Sequence, residues 1–398
     1  MRTFKNKLFQ LTMVILVLCL SLTGYASQNQ ILTGADQTEL YLSKLKGKSL
    51  ALVVNQTSRI GDQHLVDFLL SKKLTIKRIF APEHGFRGEA GAGELIDNSK
   101  DGATGIPIIS VYGKNRKASK EQLAGIDIVI FDIQDVGCRF YTYISTLHYM
   151  MEACAESNIT LLILDRPNPN GDYIDGPVLQ PAFKSFVGMD PIPVVHGCTI
   201  GEMAQMINGE KWLANGVKVK LEIIKVANYA HSMKYEPPVR PSPNLPNYLA
   251  IRIYPSLCFF EATNVSVGRG TQFPFQVLGY PDPSFGTFSF TPQSLKGMEL
   301  NPLQKDKKCY GEDFRELREV PKFTLSFFSD WLHKFKNKDE FLTSSKGFNQ
   351  LMGNDTVLKL ILEGKGEAEI RKSWETELAN YRAVRQKYLL YPDFNSAK

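Results

Sequence analysis

The chain of 398 residues lacks the short motifs that announce a metal, a nucleotide or an esterase nucleophile. It has no HExxH pair, no P-loop, no GxSxG elbow and no EF-hand loop, which argues against zinc proteases, nucleotide hydrolases and serine esterases. Gly268-Arg269-Gly270 is not a dinucleotide fingerprint, because the third glycine and the following helix are missing. Cysteine is sparse: six residues, none in a CxxC pair. Charge of one sign is also lacking, with 47 Lys and Arg against 41 Asp and Glu. A balance this even and dispersed gives phosphate backbones no clustered cations, so no nucleic-acid partner is expected.

Only one apolar run is long. "MRTFKNK" supplies Arg2, Lys5 and Lys7, "LFQLTMVILVLCLSL" follows, and "TGYAS" offers Gly24 and Ala26 for cleavage. This is the order of a secretory signal peptide over 1–26, with a periplasmic or secreted product and no stable membrane span after cleavage. Leu18 before Cys19 argues against a lipoprotein site. Residues 1–26 hold three basic and no acidic side chains, so the mature chain carries a formal charge of +3. Its five cysteines, Cys138, Cys154, Cys198, Cys258 and Cys309, are odd in number and widely spaced, and read as buried thiols.

What is abundant is alternation. "SLALVVNQ" (49–56), "LTIKRIF" (74–80), "IDIVIFDI" (126–133), "ITLLILD" (159–165) and "IPVVHG" (192–197) are continuous apolar runs of strand length, expected as buried parallel strands. Helical patterns lie between them at 64–73, 119–125, 144–157 and 199–213, with Ser119 and Gln122 set for a capping box and Thr199 for an N-cap. "VKVKLEIIKV" (217–226) alternates as one more strand. Strand and helix in alternation predict an α/β domain with a doubly wound parallel sheet over 31–240. "YEPPVRPSPNLPN" (235–247) has too many prolines for a helix and reads as an extended segment. A smaller α+β domain over 241–398 is expected beyond it.

Ligands of open parallel sheets bind past the carboxyl ends of the strands. The residues there are Asn55, Gln56 and Thr57; Glu83 and His84; Asp132, Gln134 and Asp135; Asp165, Arg166, Asn168 and Asn170; and His196. Polar groups at five successive strand ends suggest one functional rim. Glu83, held between Pro82 and His84, suits a catalytic acid or base, with a turn carboxylate as the plain alternative. Glu89 and Glu94 sit among glycines and read as solvated loop charge. His84 either orients its neighbour, contacts substrate or makes a structural hydrogen bond. Asp132 and Asp135 with Arg139, Tyr141 and Tyr143 combine planar polar groups with aromatic faces, the mixture that sugars need. The alternative there is an Asp–Arg pair that fixes the loop. Arg166 and Asn168 suit a carboxylate or an amide, and Asn244, Glu261 and Arg269 are the polar candidates from the second domain. A metal on His84, Asp132 and His196 has no support from spacing, and no cofactor is expected.

The segments "FAPEHGFRGEA", "DIVIFDIQDVGCRFYTYISTLHYMMEACAE", "PVVHGCTIGEMAQMINGE", "PSPNLPN" and "YPSLCFFEATNVSVGRGTQFPFQ" resemble the exo-β-N-acetylmuramidases of the NamZ type. The resemblance spans about 40–394. It implies a Rossmann-like domain, a smaller C-terminal domain and a cleft between them. It also implies release of N-acetylmuramic acid from the non-reducing ends of peptidoglycan disaccharides and muropeptides. Glu83 then matches the family's proposed catalytic carboxylate; Asp132 or Asp135, by position on the same rim, is the expected second catalytic group, to activate water, act as nucleophile or orient the substrate's acetamido group. Asp132, Asp135, Arg139, Tyr141 and Tyr143 match a pocket-lining segment. The substrate's lactyl carboxylate would want Arg139 or Arg166. Ala262 departs from the family's usual glycine. A sequence holds no carboxylate separation, so inverting, retaining and substrate-assisted routes stay open. A non-catalytic receptor for cell-wall sugars and a metal-dependent hydrolase or deacetylase are the rival classes.

Overall fold

The computed structural model describes residues 30–87 and 98–394. The leader assigned to 1–26, and Glu89 and Glu94, lie outside the described residues.

Six strands run parallel in one sheet: β1 (Ser49–Val54), β2 (Thr75–Ala81), β3 (Pro107–Ser110), β4 (Ile128–Asp132), β5 (Thr160–Leu164) and β6 (Lys220–Ile224). Their order across the sheet is β6-β5-β4-β1-β2-β3, and the short strand Ser99–Lys100 adds an antiparallel edge. β1, β4 and β5 are buried almost end to end, as continuous apolar strands covered on both faces must be. β6, at the edge, is exposed at alternate positions, which is why it reads as an alternating pattern. The chain winds outward from β1 through β2 to β3, then returns to β4 on the other side of β1. That reversal makes a crevice at the carboxyl ends of β1 and β4, the place where doubly wound sheets bind ligands.

Two expectations need correction. Pro193–Val195 is not a parallel strand of this sheet; it pairs antiparallel with Asp175–Val178 in a separate two-stranded ribbon. The third parallel strand is instead β3, only four residues long and begun by a proline, which hid it among turn signals. The helices fall where periodicity put them. α1 (Leu65–Ser71) starts after His64, whose ring accepts from the Val66 N–H. α2 (Lys120–Leu123) and α4 (Ile200–Gly209) open on full capping boxes, Ser119 with Gln122 and Thr199 with Glu202. Between them lies α3 (Tyr143–Glu156), buried along most of its length. A helix buried on most sides needs cover on most sides.

The second half supplies that cover. The proline-rich stretch carries no regular element, and α5 (Tyr248–Leu257) follows it. A three-stranded antiparallel sheet comes next: β7 (Val277–Tyr280), β8 (Phe288–Phe290) and β9 (Cys309–Asp313), with β9 in the middle. Short helices complete the chain, the last of them Glu375–Gln386. Phe131 and Leu147 of the first half belong to the same buried cluster as Phe259, Phe328 and Trp331 of the second, so the halves share one core. The tail returns to the first half, where the Tyr391 hydroxyl donates to Asp165 at 2.6 Å and the Arg385 guanidinium donates to the Gly197 carbonyl. Among the described residues no helix is long and apolar enough to cross a membrane.

Candidate active site

Glu83 leaves β2 in the turn Pro82-Glu83-His84-Gly85, closed by the Gly85 N–H on the Pro82 carbonyl at 3.0 Å. His84 adopts a left-handed backbone with φ of 70°. For a residue with a Cβ this costs roughly 1–2 kcal/mol, a strain that recurs at functional sites. The Glu83 carboxylate is gripped on both oxygens: Tyr112 donates its hydroxyl to Oε1 at 2.9 Å and Thr142 donates to Oε2 at 2.7 Å. Thr142 occupies the N-cap of α3, yet its hydroxyl caps nothing in the helix. A residue that would ordinarily satisfy a helix end is spent on Glu83 instead. Burial, reinforced by the charge of Glu83, raises the Tyr112 hydroxyl above the usual phenol range and keeps it a donor.

Glu83 and His84 line a cavity of about 270 Å³. Tyr112, Arg116 and Tyr141 extend its wall on the side of the first half, and Asn244, Tyr254, Glu261 and Arg269 close it from the second. The Tyr141 hydroxyl donates to the Pro241 carbonyl at 2.8 Å, tying the proline-rich stretch to this wall. Arg269 grips Oε1 of Glu261 through Nε at 2.7 Å and Nη2 at 2.6 Å. Gly268 and Gly270, with φ of 79° and 78°, flank it. A Cβ on Gly268 would lie 2.6 Å from Val277 Cγ2, and one on Gly270 2.5 Å from the Gln293 carbonyl oxygen. These glycines therefore serve to seat an arginine against β7, not to cradle a phosphate.

Two wall groups hold unused capacity. Asn244 gives its amide nitrogen to the Met298 carbonyl at 3.2 Å, while its buried Oδ1 has no hydrogen-bond partner among the described residues. Arg269 Nη1 is in the same position. Arg116 lies with its guanidinium 4.4 Å from the centre of the Phe186 ring, and no carboxylate pairs with it among the described residues.

Of the residues singled out from sequence, Glu83, His84, Tyr141, Asn244, Glu261 and Arg269 meet at this cavity. Asp132, Asp135, Arg139, Tyr143, Arg166, Asn168 and His196 do not line it. Asp132 is fully buried and takes Arg166 bidentately, at 2.5 and 3.0 Å; burial pushes its carboxyl above the usual range even beside that guanidinium. Arg139 donates to the carbonyls of Pro177, Ile192 and Leu351 at 2.7–2.8 Å, so it staples the two-stranded ribbon to the second half; burial lowers it to about 10. Asn168 gives its amide to the Cys198 carbonyl and accepts from the Asn170 N–H. Asp135 accepts from the Gly137 N–H at 2.7 Å and stands 3.6 Å from the ring of His196. Tyr143 packs its ring edge against Tyr141, with its hydroxyl 3.4 Å from the Glu83 carbonyl oxygen. These groups build the floor on which the wall residues stand. Tyr112, Arg116 and Thr142 were missed. Recognition of β3 as a strand would have placed Tyr112 and Arg116 just past its carboxyl end, under the same rim rule.

Among the described residues no group of three His, Cys, Asp or Glu side chains could hold a metal ion. The chain is 36% identical over 392 residues to the peptidoglycan β-N-acetylmuramidase NamZ of Bacillus subtilis (strain 168), covering 92% of each. Two crystal structures of DUF1343 family proteins from Bacteroides fragilis NCTC 9343 share the fold. One has a TM-score of 0.84 at 43% identity, covering 92% of this chain and 99% of that one. The other has a TM-score of 0.77 at 26% identity, covering 91% and 99%. The N-terminal profile of the exo-β-N-acetylmuramidase NamZ family matches residues 50–249 and its C-terminal profile matches 252–391, and the chain belongs to that family.

Proposed function

We propose that this protein is an exo-acting glycoside hydrolase that releases N-acetylmuramic acid from the non-reducing ends of peptidoglycan fragments, both disaccharides and muropeptides. The observation that carries the reading is the Glu83 carboxylate, held on both oxygens by Tyr112 and Thr142 in the wall of a cavity built from both halves of the chain. Protonated at the start of the cycle, Glu83 passes its proton to the glycosidic oxygen as the bond to the anomeric carbon breaks; water supplies the hydroxyl group that the released sugar gains, and its other proton returns to the Glu83 carboxylate. Glu261 is the other carboxylate on this wall among the described residues. Fixed by Arg269, it faces the positive charge that develops on the sugar ring.

Substrate chemistry matches the free groups. Arg116, an exposed cation on this wall with no carboxylate partner among the described residues, takes the lactyl carboxylate. Asp132 and Asp135 act through the floor and not on substrate. The apolar run behind Arg2, Lys5 and Lys7 supports a periplasmic or secreted place of work.

The test is incubation with 4-nitrophenyl β-N-acetylmuramide beside the corresponding N-acetylglucosaminide. The protein cleaves the first, and Glu83→Gln abolishes release while the unfolding midpoint stays in place. Activity of that variant within a few-fold of the parent refutes the role of Glu83.

A further inference from the structure

One face of α3 serves two parts of the cavity wall. Thr142, Ser145 and Tyr149 follow one another at i, i+3 and i+7, which places them along one side of the helix. Thr142 holds Glu83. Ser145 donates its hydroxyl to the Phe186 carbonyl at 2.6 Å, and the Tyr149 ring lies nearly parallel to the Phe186 ring, with 17° between the planes and 6.3 Å between the centres. Phe186 and Val187 form the tip of a tight turn, closed by the Ser185 N–H on the Gly188 carbonyl at 2.9 Å and the Gly188 N–H on the Ser185 carbonyl at 3.0 Å, and both tip residues line the cavity. The turn rests on the Arg139 staple: a Cβ on Gly188 would lie 3.3 Å from Leu179 Cδ1 and 3.7 Å from Arg139 Cδ.

Arg116 reaches the cavity from the loop past β3. Its Nε donates to the Gly113 carbonyl at 3.1 Å, and its guanidinium lies 4.4 Å from the centre of the Phe186 ring, the geometry of a cation over an aromatic face. Among the described residues these two contacts hold the side chain. An exposed arginine has more rotamers to lose than most side chains, so a ring that stacks its planar group before substrate arrives lowers the cost of gripping a carboxylate. Tyr112, whose ring centre is 5.9 Å from that of Phe186, is already fixed by its hydrogen bond to Glu83 and does not depend on this support. Phe186 itself is 8% exposed, which leaves little of its ring to meet a sugar.

We infer that Phe186 is a positioning residue that sets selectivity for the lactyl carboxylate by holding Arg116 ready for it. This assignment rests on the hydrolase reading above, with Arg116 as the lactyl ligand. Glu83 and Phe186 are both tied to one face of α3, so a single helix fixes the distance between the acid and the carboxylate grip.

The experiment is steady-state kinetics on 4-nitrophenyl β-N-acetylmuramide. Phe186→Leu is expected to raise KM about three-fold, the size of one exposed cation–aromatic contact, and to leave kcat within about two-fold of the parent. Phe186→Tyr keeps the ring and keeps the parent's KM. In an Arg116→Met background, Phe186→Leu raises KM no further, because the two residues act as one unit. Arg116→Lys, at an exposed position, keeps the charge but not the planar group and raises KM about as much as Phe186→Leu does. An equal rise in both backgrounds means that the ring touches the sugar or only supports the wall, and overturns the assignment. So does an unchanged KM in Phe186→Leu, a loss that Phe186→Tyr does not restore, or a fall in kcat alone. Should the leucine variant fail to fold, Arg116→Lys carries the test, and an unchanged KM there overturns the stacking. If the parent does not cleave the muramide, the hydrolase reading itself fails, and that is seen before any variant is made.

Discussion

His148, on α3, is 1% exposed and sits between two carboxylates. Its Nδ1 lies 2.9 and 3.1 Å from the oxygens of Asp190, and Nε2 lies 3.4 Å from Glu152. Glu152 is also bound by the Lys117 ammonium at 3.1 Å and the Ala214 N–H at 2.8 Å. Burial alone would push the imidazole down, but Asp190 and Glu152 outweigh it and hold His148 up to about 9, from 6.5. The same contact, seen from Glu152, lowers that carboxyl from 4.5 to about 2, chiefly through His148. Holding the proton that much more tightly when folded is worth about 3 kcal/mol, counted once for the pair. Because the folded histidine has the raised value, the contribution is complete below pH 6.5 and is lost as pH rises toward 9. Glu152 has the lowered value, so its side of the contact is complete above pH 4.5 and lost as pH falls toward 2. Stability from this network therefore peaks between about pH 4.5 and 6.5. His148→Gln should cost about 3 kcal/mol at pH 5.5, and the gap between variant and parent should close substantially by pH 9.5. Urea unfolding at the two pH values measures it, with ΔG taken from the midpoint and slope. A gap of the same size at both values would refute the charged pairing. The network bears on the site because Thr142 is the N-cap of α3, and Ser145 on the same helix donates to the Phe186 carbonyl behind Arg116.

Three further outcomes follow from the same geometry. Tyr112→Phe and Thr142→Val each remove one donor from Glu83 and should lower kcat about ten-fold with KM little changed, since a hydrogen bond to a charged group is worth about 1.5–3 kcal/mol; an unchanged kcat in both would remove their positioning role. Arg166→Met leaves Asp132 buried and unpaired, so the protein should lose about 3–5 kcal/mol in urea unfolding, whereas a variant as stable as the parent would mean the pair carries no structural weight. Arg116→Met should cut the preference for muramide over glucosaminide about five- to ten-fold, a loss of about 1 kcal/mol for one partly exposed ionic contact, and steady-state rates on the two aryl glycosides will read it.

Much of the architecture was legible because it rests on local regularities. A run such as "IDIVIFDI" can only be satisfied with cover on both faces, and capping pairs at Ser119 and Thr199 mark helix starts without reference to the rest of the chain. Glu83 was legible for the same reason, being the first carboxylate past a strand end. Pro193–Val195 misled because three buried apolar residues look alike in a parallel sheet and in an antiparallel ribbon.

The division of labour among polar residues was not local. Beyond a strand end, the direction of a side chain depends on the loop backbone and on whatever packs over it. Arg139 reads like a substrate ligand until Leu351, 212 residues later, supplies a carbonyl for it. Arg116 carries no signal in the sequence, and only the cavity that gathers around it marks it out. The sequence by itself determined a wound α/β sheet with Glu83 at its rim. The tertiary structure decided which neighbours of Glu83 face the cavity and which are spent holding the floor, because hydrogen-bond partners for buried charge come from wherever the chain happens to return.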